Sequence, residues 1–152
     1  MKSSSALALA VLCTFAYAEP TLDGRWQSDQ ALAMRFAERR AKLDDRTTLF
    51  LSQALGRLTI EFSKGIIKSS MPSWENVRVD GTRSHFAGFI ESHPFKVLAA
   101  TADQVAVLSQ EPVSGTQRIT VYNFEGADTM WVYLAGTTFS DMNIREYFVR
   151  VR

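Results

Sequence analysis

After Arg57 the apolar residues of this chain stop recurring at helical spacing and begin to recur at every second position. Leu58, Ile60 and Phe62 alternate with Thr59, Glu61 and Ser63. That is how a strand buries one face and leaves the other wet. Turn signals follow at intervals of roughly ten residues: Lys64-Gly65, Asp80-Gly81, Ala102-Asp103, Pro112 to Gly115 and Gly126-Ala127-Asp128. Between them the pattern predicts strands over Ile66–Met71, around Val77 and Val79, and over Ser84–Glu91, Phe95–Ala100, Val105–Ser109, Arg118–Phe124, Thr129–Leu134 and Ile144–Val151. Pro72-Ser73-Trp74 and His93-Pro94 interrupt the pairing, and Gly136–Asn143 reads as a polar loop. Short strands in this number predict a mainly β chain, an antiparallel meander closing into a barrel of about eight strands. Closure removes exposed sheet edges, a hazard for a strand-rich protein.

Before Arg57 the spacing is helical. Asp23-Gly24-Arg25-Trp26 reads as the end of a short strand or turn, and Ser28 as a helix N-cap. Asp29–Leu43 carries Leu32, Phe36 and Leu43 on one stripe, with Arg35, Glu38, Arg39 and Lys42 mostly opposite. Asp44-Asp45 caps a second helix that runs to about Leu55, and Gly56 ends it. The expectation is a helical hairpin placed after the first strand.

The first eighteen residues have a different composition. Lys2, an apolar run from Ala6 to Ala16 and the small-x-small sequence Ala16-Tyr17-Ala18 form a signal-peptide pattern. The run is too short to span a bilayer. Cleavage after Ala18 leaves one domain over residues 19–152, periplasmic or secreted. The only cysteine, Cys13, lies in the leader, so the remaining chain has no disulfide, thiol nucleophile or cysteine metal site. Bulky Leu12 disfavours Cys13 as a lipid-attachment site. With 17 basic and 16 acidic residues overall, removal of Lys2 leaves the two signs equal. A neutral chain lacks the excess positive charge that nucleic acid or an anionic membrane requires, so neither is an expected partner.

Gly24-Arg25-Trp26 near the first strand and the closing run Arg145-Glu146-Tyr147-Phe148-Val149-Arg150-Val151-Arg152 together resemble the lipocalin pattern of the calycin superfamily, in small exported bacterial forms. The resemblance implies that Trp26 lies across the closed end of a barrel and that an arginine of the last strand packs on it, Arg150 in first place and Arg152 in second. A guanidinium over an indole gains cation–π attraction. The pattern departs from the family in placing two helices after the first strand rather than one before the last. The competing architecture is an α+β cystatin-like or NTF2-like cone, with the helices packed on an open, bent sheet.

Candidate chemistry is sparse. His85 and His93 lack metal-ligand spacing and read as separate surface or rim histidines, so no metal is expected. No Gly-x-Ser-x-Gly elbow and no phosphate loop is present. Glu61, Glu75, Glu91, Glu111, Glu125 and Glu146 are read as pointing outward on alternating positions, with Glu61 opposite the Leu58/Ile60/Phe62 face. The aromatics carry more information. Trp74, Phe86, Tyr122, Trp131 and Tyr133 are the candidate ligand-binding set, because a barrel of this size either packs solid or holds one small ligand. The helical hairpin is a candidate lid. The resulting expectation is an exported, non-enzymatic, cofactor-free protein that binds a small hydrophobic or amphipathic ligand. The alternatives are an interaction or inhibitor protein acting through Gly136–Asn143, and a cone-fold enzyme using a buried carboxylate for acid–base chemistry.

Overall fold

The structure is a computed structural model that describes residues 21–110, 114–134 and 143–152. The expected leader, Glu111, half of the Pro112–Gly115 loop and nearly all of Gly136–Asn143 lie outside the described residues. The chain is mainly β. Its elements are β1 (Gly24–Ser28), α1 (Gln30–Arg40), α2 (Asp45–Ala54), β2 (Thr59–Ser63), β3 (Ile66–Met71), β4 (Trp74–Val77), β5 (Arg83–Phe86), β6 (Phe89–Pro94), β7 (Lys96–Ala100), β8 (Gln104–Gln110), β9 (Gln117–Phe124), β10 (Thr129–Tyr133) and β11 (Arg145–Val151).

Nine strands form one antiparallel sheet in the order β6-β3-β2-β1-β11-β10-β9-β8-β7. The two edges, β6 and β7, are consecutive in the chain and separated only by Phe95. The sheet therefore curls until one bent segment serves both edges. Its first half pairs with β3 and its second half with β8. Phe95 anchors the bend in two ways. Its amide donates to the Gly65 carbonyl at 2.9 Å, and its ring meets Phe62 edge-on, with centroids 5.4 Å apart. The result is a nearly closed, barrel-like sheet.

The single strand expected over Ser84–Glu91 is in fact two. β5 pairs with β4 in a separate hairpin (Trp74↔Phe86 to Val77↔Arg83), and the chain then crosses to β6 on the main sheet. Gly88 permits this crossing. A Cβ there would stand 2.5 Å from the Ser73 amide nitrogen and 2.6 Å from the Met71 carbonyl oxygen, closer than any side chain is tolerated. Val79 falls beyond β4 and is exposed.

The floor of the curled sheet is built on Trp26, which is fully buried. Its indole N–H donates to the Leu22 carbonyl at 2.7 Å. Phe124 meets it edge-on at 6.0 Å. The Arg150 guanidinium lies 4.1 Å over the ring. The same guanidinium donates to three carbonyls: Asp23 (2.5 Å), Thr21 (2.8 Å) and Ala127 (3.2 Å). Arg152 is instead exposed and pairs with Asp128 at 2.5 Å. Gly24 is a requirement of this floor. Its φ is +118°, and an added Cβ would sit 2.8 Å from Arg150 Nη1.

The helices lie outside the sheet. α1 places Ala33 and Ala37 against β11, and its Phe36 ring is 6.1 Å from Tyr147. Small residues on the buried face let the helix approach the strand closely. Asp29, not Ser28, is the N-cap, its carboxylate accepting from Leu32 N at 2.9 Å. Ser28 ends β1 and is buried. The helix stops at Arg40 rather than Leu43. Asp44 caps α2 as expected. A cone would need its helices on the concave face of the sheet. Here that face holds Trp26, Phe62, Phe124, Met130 and Phe148, packed on one another.

Two substitutions test the floor and the crossing. Arg150→Lys keeps the charge but loses the planar fork, and chemical denaturation should show a loss of about 2 kcal/mol. Gly88→Ala should cost about 1–3 kcal/mol by overpacking, with the β4–β5 hairpin displaced in a backbone NMR comparison.

Candidate functional site

The inward face does not pack solid. Above the Trp26 floor the curled sheet encloses a cavity of about 320 Å³. β2 and β3 contribute Ile60, Ile67, Ser69 and Met71; β6 contributes Phe89 and His93; β9, β10 and β11 contribute Thr120, Tyr122, Val132, Glu146 and Phe148. Strand alternation determines these faces. Ile60 and Phe62 point in while Glu61 is exposed, and Ile67 and Ser69 point in while Lys68 is exposed.

The mouth carries a roof of two pieces. Trp74 and Phe86 from the β4–β5 hairpin lie 5.9 Å apart, and Trp74 meets Phe50 of α2 at 6.1 Å. Gln53 latches the hairpin to α2: the Val77 amide donates to its Oε1, and its Nε2 donates to the Val77 carbonyl, both at 2.8 Å. The Arg57 guanidinium lies 5.1 Å from the Trp74 ring. The lid expected from the helical hairpin is thus α2 with β4 and β5, while α1 lies on the outer wall. The Trp74 indole N–H is buried without a hydrogen-bond partner among the described residues, a cost of about 1–3 kcal/mol that a purely structural roof would avoid.

Three of the five expected aromatics, Trp74, Phe86 and Tyr122, line the cavity. Tyr133 reaches only its rim and is half exposed. Trp131 does not line it. Register places Trp131 beside Tyr147 on the outer face, where it packs in the helix-side cluster with the Arg145 guanidinium 3.6 Å from its ring centroid. Arg145 also lies 4.2 Å from Phe36, so a cation–π sandwich clamps α1 to the barrel wall.

Glu146 departs from the outward reading of the carboxylates, which the exposed Glu61, Glu75 and Glu125 follow. It shares the inward face of β11 with Phe148 and Arg150, is buried, and lines the cavity. Ser28 Oγ donates to the Glu146 Oε1 at 2.7 Å and itself accepts from the Gly56 amide at 2.9 Å. Burial pushes the carboxyl up to about 7, against the smaller opposing pull of the Ser28 hydrogen bond. Burial, reinforced by the nearby Glu146, also raises the Tyr122 phenol, with Arg118 opposing. The signal for Glu146 was present in the sequence. If Arg150 points in, every second residue before it on the strand does too.

His93 lines the cavity with its Nε2 3.0 Å from Glu91 Oε2, whereas His85 pairs with Glu75 at 2.8 Å in solvent. Among the described residues no group of three or more His, Asp or Glu side chains is placed to hold a metal ion, and no helix is long and apolar enough to cross a membrane.

A raised carboxyl has a defined effect on stability. Below an ordinary glutamate value of 4.5 both folded and unfolded chains hold the proton; between 4.5 and about 7 only the folded chain does. The contribution of Glu146 to stability therefore falls as pH rises through that window, by up to about 3 kcal/mol. In thermal unfolding, Glu146→Gln should match the native protein near pH 4.5 and become progressively more stable than it up to about pH 7.

No protein-family model, curated protein or solved structure matches the chain.

Proposed function

We propose that this chain is an exported, lipocalin-like carrier that holds one small hydrophobic or amphipathic molecule inside its barrel, without catalysis and without a cofactor. The observation that carries the reading is the 320 Å³ cavity between the Trp26 floor and the Trp74/Phe86/Phe50 roof. Its size falls at the lower end of the roughly 300–1,000 Å³ typical of ligand sites. Its lining is what such a site needs: mostly apolar and aromatic walls, with a minority of polar groups that includes Ser69, His93, Thr120 and Glu146. Counting the bent β6–β7 segment of the nine-stranded sheet as one stave gives eight, a number compatible with the lipocalin-like reading. The Gly24-x-Trp26 motif with Arg150 across the ring supports the same reading. The leader pattern over Met1–Ala18 supports export. The inhibitor alternative rests on Gly136–Asn143, nearly all of which lies outside the described residues.

Titration with 1-octanol should quench tryptophan fluorescence, and Trp74→Phe should abolish the quench, since Trp26 and Trp131 do not line the cavity. Thr120→Trp, which fills the cavity, should weaken 1-octanol binding by about tenfold or more. A quench that survives Trp74→Phe, or calorimetric binding that Thr120→Trp leaves unchanged, would place the ligand elsewhere and end the carrier reading.

A further inference from the structure

Among the described residues Glu146 is the one acidic side chain on the cavity wall. A buried carboxyl ordinarily has a cation or several donors to stabilise its charge. Here Ser28 supplies a single hydrogen bond, to Oε1, and Oε2 accepts from no group among the described residues. Ser28 has one proton and uses it on Glu146, while its oxygen is already occupied by the Gly56 amide. The other titratable side chains on the cavity are His93, Arg118, Tyr122 and Tyr133. His93 is engaged by Glu91, and Tyr133 stands at the rim. Arg118 lies opposite Ser109, toward the mouth, and is exposed. Among the described residues no Arg, Lys or His side chain is hydrogen-bonded or ion-paired to Glu146.

We propose that the cavity selects amphiphiles bearing a protonated amine, seated with the ammonium against the Glu146 carboxylate and the apolar tail among the aromatic walls. The inference rests on the carrier reading and deepens it. An amine supplies the missing counter-charge and brings donors for the open oxygen. An alcohol of the same tail supplies one neutral hydrogen bond. A carboxylate of the same tail places like charges together in a medium of low polarity. Because Glu146 loses its proton near neutral pH, loading strengthens as pH rises through about 7 and weakens on acidification.

Calorimetric titration of the full chain with n-octylamine, 1-octanol and octanoate is the test. At about pH 8 octylamine should bind about tenfold or more tighter than 1-octanol, with octanoate weakest. Below about pH 7 octylamine affinity should fall by up to about tenfold per pH unit, with 1-octanol unchanged. Glu146→Gln keeps an acceptor for Ser28, and should remove both the amine preference and the pH slope. A second measurement needs no variant: in carbon-13 NMR, saturating octylamine should lower the Glu146 titration midpoint by about one unit or more. The proposal is overturned if octylamine binds no better than 1-octanol, if octanoate binds best, or if the pH slope survives in E146Q, which would assign it to His93. Binding of 1-octanol without amine preference sinks the amine inference alone. Binding of none of the three sinks the carrier reading as well.

Discussion

The Arg150 guanidinium on the Trp26 indole fixes more than the floor of the barrel. Trp26 and Arg150 are register partners on adjacent strands, so their contact sets which parity of β1 and of β11 faces inward. A slip of one residue would turn every side chain of the strand over. The three carbonyls that Arg150 holds belong to the segment before β1 and to the β9–β10 turn. One planar cation thereby ties the entry segment, the last strand and a turn into a single cap. A lysine has neither the fork nor the flat face to do this.

The inside of the barrel inherits that choice. With Arg150 inward, Phe148 and Glu146 are inward too, and the cavity acquires a carboxyl it did not need for packing. Tyr147 and Arg145 are outward, and they become the surface on which α1 lies. The Arg145 sandwich between Phe36 and Trp131 and the Glu146 hydrogen bond to Ser28 are thus two consequences of one register, on opposite sides of one strand. α2 links wall and mouth. It packs Leu51 and its C-cap Leu55 in the wall cluster, and meets Trp74 at the mouth through Phe50.

The strand pattern after Arg57 was legible because alternation and turn residues are local properties. The Trp26 and Arg150 pairing was legible from the resemblance and from the chemistry of a cation on an indole. Three features were not. The division of Ser84–Glu91 into β5 and β6 depends on the backbone of Met71–Ser73 lying against Gly88, a contact between segments that local pattern does not record. Trp131 and Tyr133 share a face, but alternation leaves two choices, and only pairing with β11 makes that face the outer one. Ser28 has the chemistry of an N-cap, yet Asp29 takes the cap because β1 extends through Ser28 to pair with Phe148.

By itself the sequence determined the mainly β character and the spacing of most turns, the two helices and the acidic cap of α2, and the residues able to build a floor. These follow from side-chain period and backbone preference, which act within a few residues. Tertiary structure alone decided that the bend at Phe95 joins the two edges of the sheet, that a void remains above the floor, and that Glu146 looks into it. Those outcomes depend on how strands far apart in sequence pair and how completely their side chains fill the enclosed volume, and neither quantity is a property of any single segment.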